Sequence, residues 1–549
     1  MSDSSAADRV FAYHRRTKHR FDAYAPGPPA LDWNAQPAPF RRFAGAPVVG
    51  LPLACEASPL PRAALQRPWR DVAMTNAAPV DLESIGILLN LSLALTAWKS
   101  LWPERWALRA NPSSGNLHPV EAYVIAVGIQ GLVDGVHHYR PDDHALECRA
   151  AFGASAGPTA GPMLAIGIST VMWREAWKYG ERAFRYCQLD VGHALAGLAY
   201  AAAALGWTLH ERRELATLGL ASLLGVDRLT DFPAPPGADS EREEAEVLLQ
   251  VAIGSGLVAV DPQALLADAC WQGVASAIDP APMQYWPIID DVAAATRTSG
   301  DQRAQARPLS SRTPSPIAQV PAGPPLADVI LNRRSAQRFD SRGHCATDEF
   351  FAVLAATLPG TGAPWFALAA PPRISLVLFV HRVDGLEPGL YLLARQSEHR
   401  LPLAGRYSAE PVAAAPAGLP FYCLTTAGPQ ELRRLARAIH CHQDIAADAC
   451  FALGMVAEFS APIAADPAAY RDLYREAGAI GQVLYLEAEA CGMRGTGIGC
   501  FFDDPFHEVV GLVGEAFQTL YHFTVGLPKA DTRLGSAPAY QDRPTPHPY

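Results

Sequence analysis

The chain has 549 residues, of which 49% are hydrophobic and 18% are charged, and this composition is typical of a soluble globular protein. Its formal net charge of −10 argues against a nucleic-acid partner, because non-specific binding to nucleic acid needs a basic surface. The N-terminal residues show no secretory signal, and the longest apolar run, Ala194–Trp207, is too short to span a membrane. We therefore expect a cytoplasmic protein without a membrane segment.

Ten cysteines are scattered along the chain without a Cys-x-x-Cys pair. This usage predicts a reduced protein whose thiols are mostly buried. The triplet His440-Cys441-His442 offers metal-ligating side chains, but successive residues of a helix point in different directions and converge poorly on one ion. We therefore predict no metal site.

A basic segment near the N-terminus recurs in the second half of the chain. The sequence HRRTKHRFD at His14–Asp22 matches NRRSAQRFD at Asn332–Asp340, at an offset of 318 residues. Each copy places two arginines before a hydroxyl residue, which is a compact set of donors for an anion.

Further elements repeat in the same order. Apolar strands are predicted at Glu121–Ile129 and Arg373–His381, which lie 252 residues apart. Apolar helices follow at Val191–Trp207 and Ala477–Met493, at an offset of 286, and each is closed by a glycine at the expected C-terminal position. Because the offset changes while the order persists, the pattern predicts a tandem repeat that has diverged by insertion.

The repeat divides the chain into two predicted domains. Domain 1 covers residues 1–286, a linker covers 287–324, and domain 2 covers 325–549. The stretch Ser299–Pro325 is polar, rich in proline and without periodicity, as expected of a linker. The alternation of long helices with few strands predicts an α+β fold, with a mixed sheet covered by helices in each domain.

Polar motifs survive in complementary halves of the repeat. Domain 1 keeps Pro-Ser-Ser-Gly-Asn at 112–116 and a Lys-Tyr pair at 178–179, and domain 2 keeps Arg-Arg-Ser at 333–335, Gly-Thr-Gly-Ile-Gly at 495–499 and Asp-Thr-Arg at 531–533. Two copies packed with pseudo-twofold symmetry create two equivalent interface sites. One site would then combine both sets, whereas the other would hold little besides Arg-Arg-Thr, so we predict one functional site and one decayed site.

These motifs resemble those of the nitroreductase superfamily, most closely its SagB-type (azoline dehydrogenase) branch, over nearly the whole chain as two fused copies. The resemblance implies FMN bound at the interface of an intramolecular pseudo-dimer. The phosphate contacts that it implies are Arg333, Arg334, Ser335, Arg533 and, less directly, Lys529. It further implies a loop at the flavin N5 side formed by Gly497, Ile498 and Gly499, and contacts from domain 1 by Pro112, Ser113, Ser114 and Asn116. Lys178 and Tyr179 match the catalytic pair of the branch.

Each motif also has a simpler interpretation. Gly-Thr-Gly-Ile-Gly follows a predicted helix, whereas the dinucleotide-binding fingerprint follows a strand, so we reject that interpretation. Its glycines either allow close backbone approach to a flat ring or form an ordinary C-cap turn. Lys178 and Tyr179 could instead be surface and core residues at the start of a helix. We interpret His193 as a buried structural histidine, and the tryptophans at 102–106 and 173–177 as packing residues, one of which could line a flavin pocket.

The sequence alone leaves three functions possible. The leading hypothesis is an FMN-dependent dehydrogenase that acts on a small molecule or a heterocyclised peptide, with Lys178 as base, Tyr179 as its partner and a peptide-modifying enzyme as a candidate partner protein. The second is an NAD(P)H-dependent nitro- or quinone-reductase. The third is a catalytically idle flavin-binding scaffold subunit.

Overall fold

The structure, a computed structural model, describes residues 5–71, 77–153, 162–233, 238–252, 256–279, 281–282, 284–300, 322–395, 401, 407–541 and 543. Within these ranges, no helix is both long enough and apolar enough to cross a membrane.

Most strands of the first half of the chain belong to one sheet of eight strands. The strands of this half are β1 (Phe43–Ala44), β2 (Val48–Gly50), β3 (Leu95–Leu101), β4 (Glu104–Arg109), β5 (Val120–Val127), β6 (Gly135–Arg140), β7 (Ala145–Ala151), β8 (Met163–Thr170), β9 (Leu209–Glu211), β10 (Glu244–Val251), β11 (Cys270–Trp271) and β12 (Val274–Ala275). The sheet has the order β11-β7-β6-β5-β8-β10-β9, with β2 also paired to β7.

The second half forms a sheet of seven strands. Its strands are β13 (Ile374–Val380), β14 (Gly389–Leu393), β15 (Glu410–Pro411), β16 (Phe421–Thr426), β17 (Phe451–Glu458), β18 (Arg494–Ile498), β19 (Phe517–Gly526) and β20 (Gly535–Ala537). Its strand order is β15-β16-β14-β13-β17-β19-β18. Apart from the edge strand β15, the order repeats the run β7-β6-β5-β8-β10-β9 of the first sheet. The strand predictions at 121–129 and 373–381 correspond to β5 and β13, the central strand of each sheet.

The helices repeat in the same way. They are α1 (Ala6–Arg16), α2 (Pro59–Leu65), α3 (Leu82–Ser92), α4 (Met172–Tyr179), α5 (Ala183–Ala204), α6 (Thr217–Leu224), α7 (Pro262–Leu266), α8 (Pro287–Ala295), α9 (Leu326–Asn332), α10 (Thr347–Ala356), α11 (Pro429–Ile439), α12 (Asp444–Asp448), α13 (Ser460–Ala465), α14 (Ala469–Ala490) and α15 (Asp503–Val510). Adding 286 to both bounds of α5 gives the bounds of α14, which is the offset found in the sequence.

The two halves pack through these long helices, α5 against α14. Their backbones touch at the glycines that the repeat aligns: a Cβ on Gly192 would lie 2.1 Å from the carbonyl oxygen of Arg475, and one on Gly478 would lie 2.1 Å from that of Leu189. Only glycine permits so close a crossing. The predicted α+β pseudo-dimer is therefore confirmed.

Two details differ from the sequence prediction. The ladders between named strands in the described residues are antiparallel rather than mixed, and parallel pairing is limited to isolated bridges such as Ser335 to Gly495. The predicted linker begins with a packed helix, α8, in which Ile289 and Val292 are buried. The rest of the predicted linker, 301–321, lies outside the described residues, and the domain boundaries stay a prediction.

Candidate functional site

A cavity of about 640 Å³ lies between the two halves. It brings together eleven of the twelve residues predicted to bind the cofactor, namely Pro112, Ser113, Ser114, Asn116, Arg333, Arg334, Ser335, Gly497, Ile498, Gly499 and Lys529. The twelfth, Arg533, is not part of the cavity wall. Its side chain is 76% exposed and forms an ion pair with Asp531, 2.6 Å from Nη2 to Oδ2.

The arginines that follow α9 reach across to the first half. Arg333 is buried, and its Nε and Nη2 donate to the carbonyl oxygens of Ala110 and Arg109 at 3.2 and 3.0 Å. Its Nη1 is buried without a hydrogen-bond partner in the described structure. Arg334 likewise donates to backbone carbonyls, including that of Thr96 at 3.3 Å. Both guanidinium groups thus keep their charge without a bonded carboxylate among the described residues.

The cavity wall is strongly basic. It holds seven cationic side chains, Lys99, Arg109, Arg333, Arg334, Arg338, Arg494 and Lys529, and two carboxylates, Asp190 and Asp531. Burial, followed by the neighbouring Arg333 and Arg494, lowers the pKa of Arg334 to about 10. Burial and the same kind of repulsion lower the pKa of Lys99. Because these cations disfavour one another's charged forms, a bound anion would stabilise the cluster.

The sequence did not single out several of these cations. Arg494 directly precedes the glycine motif, so its position was a usable signal. Lys99 lies on β3, in a hairpin that carries no motif, and only the tertiary structure brings it to Arg334. The short strand β20 of the second half pairs with β3 and helps to hold this hairpin in place.

The Pro-Ser-Ser-Gly-Asn segment forms the loop between β4 and β5. Its backbone turns through left-handed conformations at Gly115 and Asn116, with φ of 58° and 62°. The backbone N–H and the Oγ of Ser114 each donate to Oδ1 of Asp190 on α5 at 3.1 Å, and Nδ2 of Asn116 donates to the carbonyl oxygen of Ala107 at 2.9 Å. These bonds fix the loop against both α5 and β4.

The glycine motif of the second half is a strand, not a loop or a C-cap turn. Gly497 and Ile498 end β18, so the loop prediction is wrong for both residues. A Cβ on Gly497 would lie 1.7 Å from Oη of Tyr521, and one on Gly499 would lie 2.2 Å from Cε1 of Tyr186. These glycines therefore make room first for the protein's own tyrosines.

A tyrosine of α14 connects two of the predicted motifs. The N–H of Gly497 donates to Oη of Tyr485 at 2.9 Å, and the Tyr485 hydroxyl shares a hydrogen bond of 2.9 Å with Oγ of Ser335. The Arg-Arg-Ser segment and β18 are thereby aligned along one side of the cavity.

Lys178 and Tyr179 occupy the last turn of α4 rather than the start of a helix. Tyr179 lines the cavity. Lys178 lies at its edge, where a Cβ built on Gly115 would be 3.1 Å from Nζ. Burial lowers the pKa of Lys178, opposed by Glu175, and burial raises the pKa of Tyr179 well above its usual value.

Two buried carboxyl groups, which the sequence did not indicate, lie beneath this edge. Burial raises the pKa of Asp190 to about 7, while hydrogen bonds from Ser113 and Ser114 oppose the shift. Burial and then Asp190 raise the pKa of Glu175 well above its usual value. Both carboxyl groups contact the serine loop, Asp190 through Ser114 and Glu175 through Ser113, and Glu175 also lies near Lys178.

His193 and Trp106 also line the cavity. His193 is buried, 3.2 Å from Oε1 of Gln482 and 3.2 Å from Oη of Tyr521. This supports its interpretation as a structural histidine.

Within the described chain, no three metal-ligating side chains are grouped to hold an ion. Nε2 of His440, from the His-Cys-His triplet, instead lies 3.0 Å from Nδ1 of His522.

The repeat-equivalent arginines of the first half are neutralised by the protein itself. Nη1 of Arg15 lies 3.3 Å from a carboxylate oxygen of Glu515. Arg16 holds Glu181 through two bonds, the longer of which is 2.8 Å. Arg333 and Arg334, at the corresponding positions, form no such bonded pair in the described residues.

Comparison with known proteins gives partial sequence matches and a full-length fold match. No protein-family model matches the chain. It is 30% identical over 164 residues to the trifolitoxin-processing protein TfxB of Rhizobium leguminosarum bv. trifolii, covering 27% of this chain and 44% of TfxB. It is 29% identical over 128 residues to the protein named "Putative nitroreductase MJ1384" of Methanocaldococcus jannaschii, covering 22% of this chain and 64% of the relative. The matches thus span less than two thirds of each relative.

A solved structure shows the same fold along almost the whole chain. It is titled as a putative nitroreductase from Anabaena variabilis, with a TM-score of 0.67 and 23% identity, and the match covers 95% of this chain and 99% of that one. At this identity the match establishes the fold alone. The fold and the two sequence relatives together confirm the resemblance to the nitroreductase superfamily that the sequence predicts, and the match to TfxB agrees with its SagB-type branch.

Proposed function

We propose that this chain is an FMN-dependent oxidoreductase with a single flavin site in the cavity between its two halves. The observation that carries the proposal is the cluster of seven cations against two carboxylates in the cavity wall. A phosphate monoester carries close to two negative charges and accepts several charge-assisted hydrogen bonds. The cavity volume of about 640 Å³ also lies within the range of roughly 300–1,000 Å³ typical of cofactor sites.

The residues present fit such a group. Arg333 has a buried Nη1 without a partner among the described residues, and Arg334, Ser335 and Arg494 surround it in the wall. We assign these residues, with Lys99 and Lys529, to the phosphate. The Pro-Ser-Ser-Gly-Asn loop and β18 are assigned to the flat part of the cofactor, for which serine, asparagine and backbone groups offer neutral hydrogen bonds.

One flavin per chain is proposed because the equivalent arginines of the first half are already paired. Glu515 and Glu181 neutralise Arg15 and Arg16, so a phosphate would have to displace carboxylates that the chain itself supplies. Among the described residues no carboxylate is hydrogen-bonded to the guanidinium of Arg333, although Glu489 lies near enough to oppose the lowering of its pKa.

The test compares Arg333→Ala with its repeat-equivalent control, Arg15→Ala. A hydrogen bond to a charged group is worth about 1.5–3 kcal/mol, so loss of Arg333 is expected to weaken FMN binding roughly ten- to hundredfold. Arg15→Ala is expected to bind FMN like the wild type, at one FMN per chain. Affinity and stoichiometry are measured by fluorescence titration of apoprotein. Two FMN per chain would contradict the single site, and an absence of binding would contradict the flavin assignment.

We further propose that the reaction is dehydrogenation of a heterocycle in a modified peptide. The support is the Lys-Tyr pair at the cavity edge and the name of the relative TfxB, a trifolitoxin-processing protein. When bound, FMN supplies a hydride acceptor. Lys178 then removes the proton from the neighbouring carbon, and its lowered pKa increases the neutral fraction that can do so. Tyr179, whose pKa is raised, stays neutral and donates a hydrogen bond.

In this proposal the azoline-bearing peptide comes from a peptide-modifying partner enzyme, and both proteins act in the cytoplasm. A cyclodehydratase encoded beside this protein would favour azole formation. The second candidate is an NAD(P)H-dependent nitro- or quinone-reductase, which the similarity to a protein named as a nitroreductase favours. In that reaction no carbon acid is deprotonated, so Lys178 is not needed.

A further inference from the structure

Two cysteines meet beside the cavity in a way that the sequence did not indicate. Cys500 follows β18 and lines the cavity, and Cys441 lies just after α11. Hydrogen bonds join the two segments on either side of the cysteines: Nε2 of Gln443 donates to the carbonyl oxygen of Cys500 at 3.3 Å, and the N–H of Phe502 donates to that of Ile439 at 2.9 Å. Both cysteines are free and partly exposed. The expectation of mostly buried thiols is wrong, because only Cys148, Cys187, Cys345 and Cys450 are buried.

A histidine from a third segment completes the cluster. His19 lies just after α1, and its Nδ1 accepts the backbone N–H of Ala25 at 2.9 Å. Its imidazole also lies near enough to the Cys500 thiol to lower the pKa of that thiol. Arg182 adds a positive charge nearby. A thiol beside a cation and an imidazole is the environment of reactive cysteines.

The two thiols are electrostatically unequal. The Cys441 thiol, then His19 and Arg182, lower the pKa of Cys500 to about 5 against the effect of burial. The hydrogen bond with Cys500, then burial, raise the pKa of Cys441. A thiol with a lowered pKa beside a second thiol is the arrangement that an attacking cysteine and a resolving cysteine require.

Exposed aromatic side chains border the segment that carries Cys500. Phe21 and Tyr24, 59% and 57% exposed, pack on Phe502 with ring centroids 4.6 and 5.7 Å away and form an outer rim. Cys441 and His442 have φ of 51° and 60°, a left-handed conformation uncommon for residues other than glycine. The chain thus turns sharply at Cys441, directly after α11.

We propose that Cys441 and Cys500 form a redox-active thiol pair that exchanges electrons with low-molecular-weight disulfides, with His19 positioning and stabilising the Cys500 thiolate. The Cys500 thiolate attacks one sulfur of the small disulfide, whose S–S bond breaks and releases one thiolate. Cys441 then loses its proton to solvent and attacks Cys500, and the second small thiolate leaves. The pair loses two electrons as a disulfide forms, and the small disulfide gains them as two thiols. This thiol chemistry needs no flavin.

The first test uses the full-length protein and oxidised glutathione as the probe. After incubation at neutral pH and quenching by acid, thiols are counted in denaturant, and the disulfide is located by mass spectrometry of peptides. We expect the count to fall by two and a peptide pair linking Cys441 to Cys500. Cys441→Ser is expected to stop at a glutathione adduct on Cys500. The control Cys423→Ser, which removes another partly exposed cysteine, is expected to behave like the wild type. An unchanged thiol count, or a disulfide that excludes either cysteine, would overturn the proposal.

The second test separates the role of His19 from a purely structural one. In His19→Asn the amide oxygen replaces Nδ1 as acceptor of the Ala25 N–H, whereas the group at the Nε2 position is lost. The alkylation rate of Cys500 by iodoacetamide at pH 6 is expected to fall about tenfold, with an unchanged rate at Cys423 and an unchanged melting temperature. An equal alkylation rate in variant and wild type at pH 6 would remove His19 from the proposal.

Discussion

At the scale of the residue, the site is defined by charges that the protein leaves unneutralised. Arg333 and Arg334 donate to backbone carbonyls, which orient a guanidinium but do not cancel its charge. Taking an unpaired charge out of water is costly, so a buried arginine with a free Nη1 is a strong indication of an anionic ligand. At the equivalent arginines of the first half, Arg15 and Arg16, carboxylates complete the pairs.

Replacement of Lys178 distinguishes the two enzymatic candidates. Because Lys178 lies at the cavity edge rather than among the cations, Lys178→Ala is expected to keep its full FMN content. If the lysine removes a proton from carbon, turnover of an azoline substrate falls by about 10²–10⁴. Reduction of a quinone by reduced flavin is expected to stay near the wild-type rate. Flavin content and both rates are compared with those of Lys18→Ala, a lysine paired to Asp504. Normal dehydrogenation by Lys178→Ala would exclude it as the base.

Replacement of Asp190 changes how stability depends on pH. Its folded-state pKa of about 7 lies above the usual aspartate value of 3.8, so between about pH 4 and 7 the folded state binds more protons than the unfolded state. The free energy of unfolding contributed by this group therefore falls as the pH rises through that window.

Asp190→Asn keeps an acceptor for Ser114 and removes the titration. One unit of pKa shift corresponds to about 1.4 kcal/mol. The free energy of unfolding of the variant is therefore expected to exceed that of the wild type by up to a few kcal/mol between pH 4 and 7. Urea unfolding at pH 4, 5.5 and 7 measures this difference. A difference that does not change with pH would contradict the assignment.

At the scale of the element, the crossing of α5 and α14 sets the distance between the halves. The two glycines let the helix backbones touch, and each half can then contribute one wall of the cavity. Gly192 and Gly478 were aligned by sequence as repeat partners, but only the structure shows that each meets the opposite helix at the point of closest approach.

Gly478→Ala is expected to destabilise the protein. Alanine is intrinsically better than glycine in a helix by up to about 1 kcal/mol, but its Cβ would lie 2.1 Å from the Leu189 carbonyl oxygen, and overpacking typically costs about 1–3 kcal/mol. The control Gly428→Ala has no heavy atom within 4 Å of its Cβ, and its effect is expected to stay within about 0.5 kcal/mol. Urea midpoints measure both, and equal or higher stability of Gly478→Ala would contradict the crossing.

At the scale of the whole molecule, the two halves share one hydrophobic core. A single cluster of buried residues includes Leu88 and Leu198 of the first half together with Ile480 and Phe451 of the second half. The N-terminal α1 also reaches the other half, with Nδ1 of His14 lying 3.2 Å from Oη of Tyr470. Such shared burial makes the halves mutually dependent.

The protein is therefore expected to unfold in one cooperative transition rather than two. Circular dichroism and tryptophan fluorescence in a urea titration are expected to give coincident curves. For the same reason, residues 5–300 or 322–549 expressed alone are expected not to hold FMN. Two separated transitions, or tight FMN binding by either half, would show that the halves are independent units.

The sequence by itself determined the repeat, the α+β class and the motifs that supply eleven of the predicted cofactor residues to the cavity wall. These features depend on local patterns, such as the apolar spacing of Val191–Trp207 and the recurring Arg-Arg-hydroxyl segment, and such patterns survive divergence. Strand direction and the strand character of Gly497 could not be predicted, because both depend on pairing with distant segments. Only the tertiary structure brought Lys99 to Arg334, neutralised Arg15 with Glu515, and placed Cys441 beside Cys500. Contacts between residues far apart in the chain leave no local signal, since they are decided by how distant segments pack within each half and between the halves.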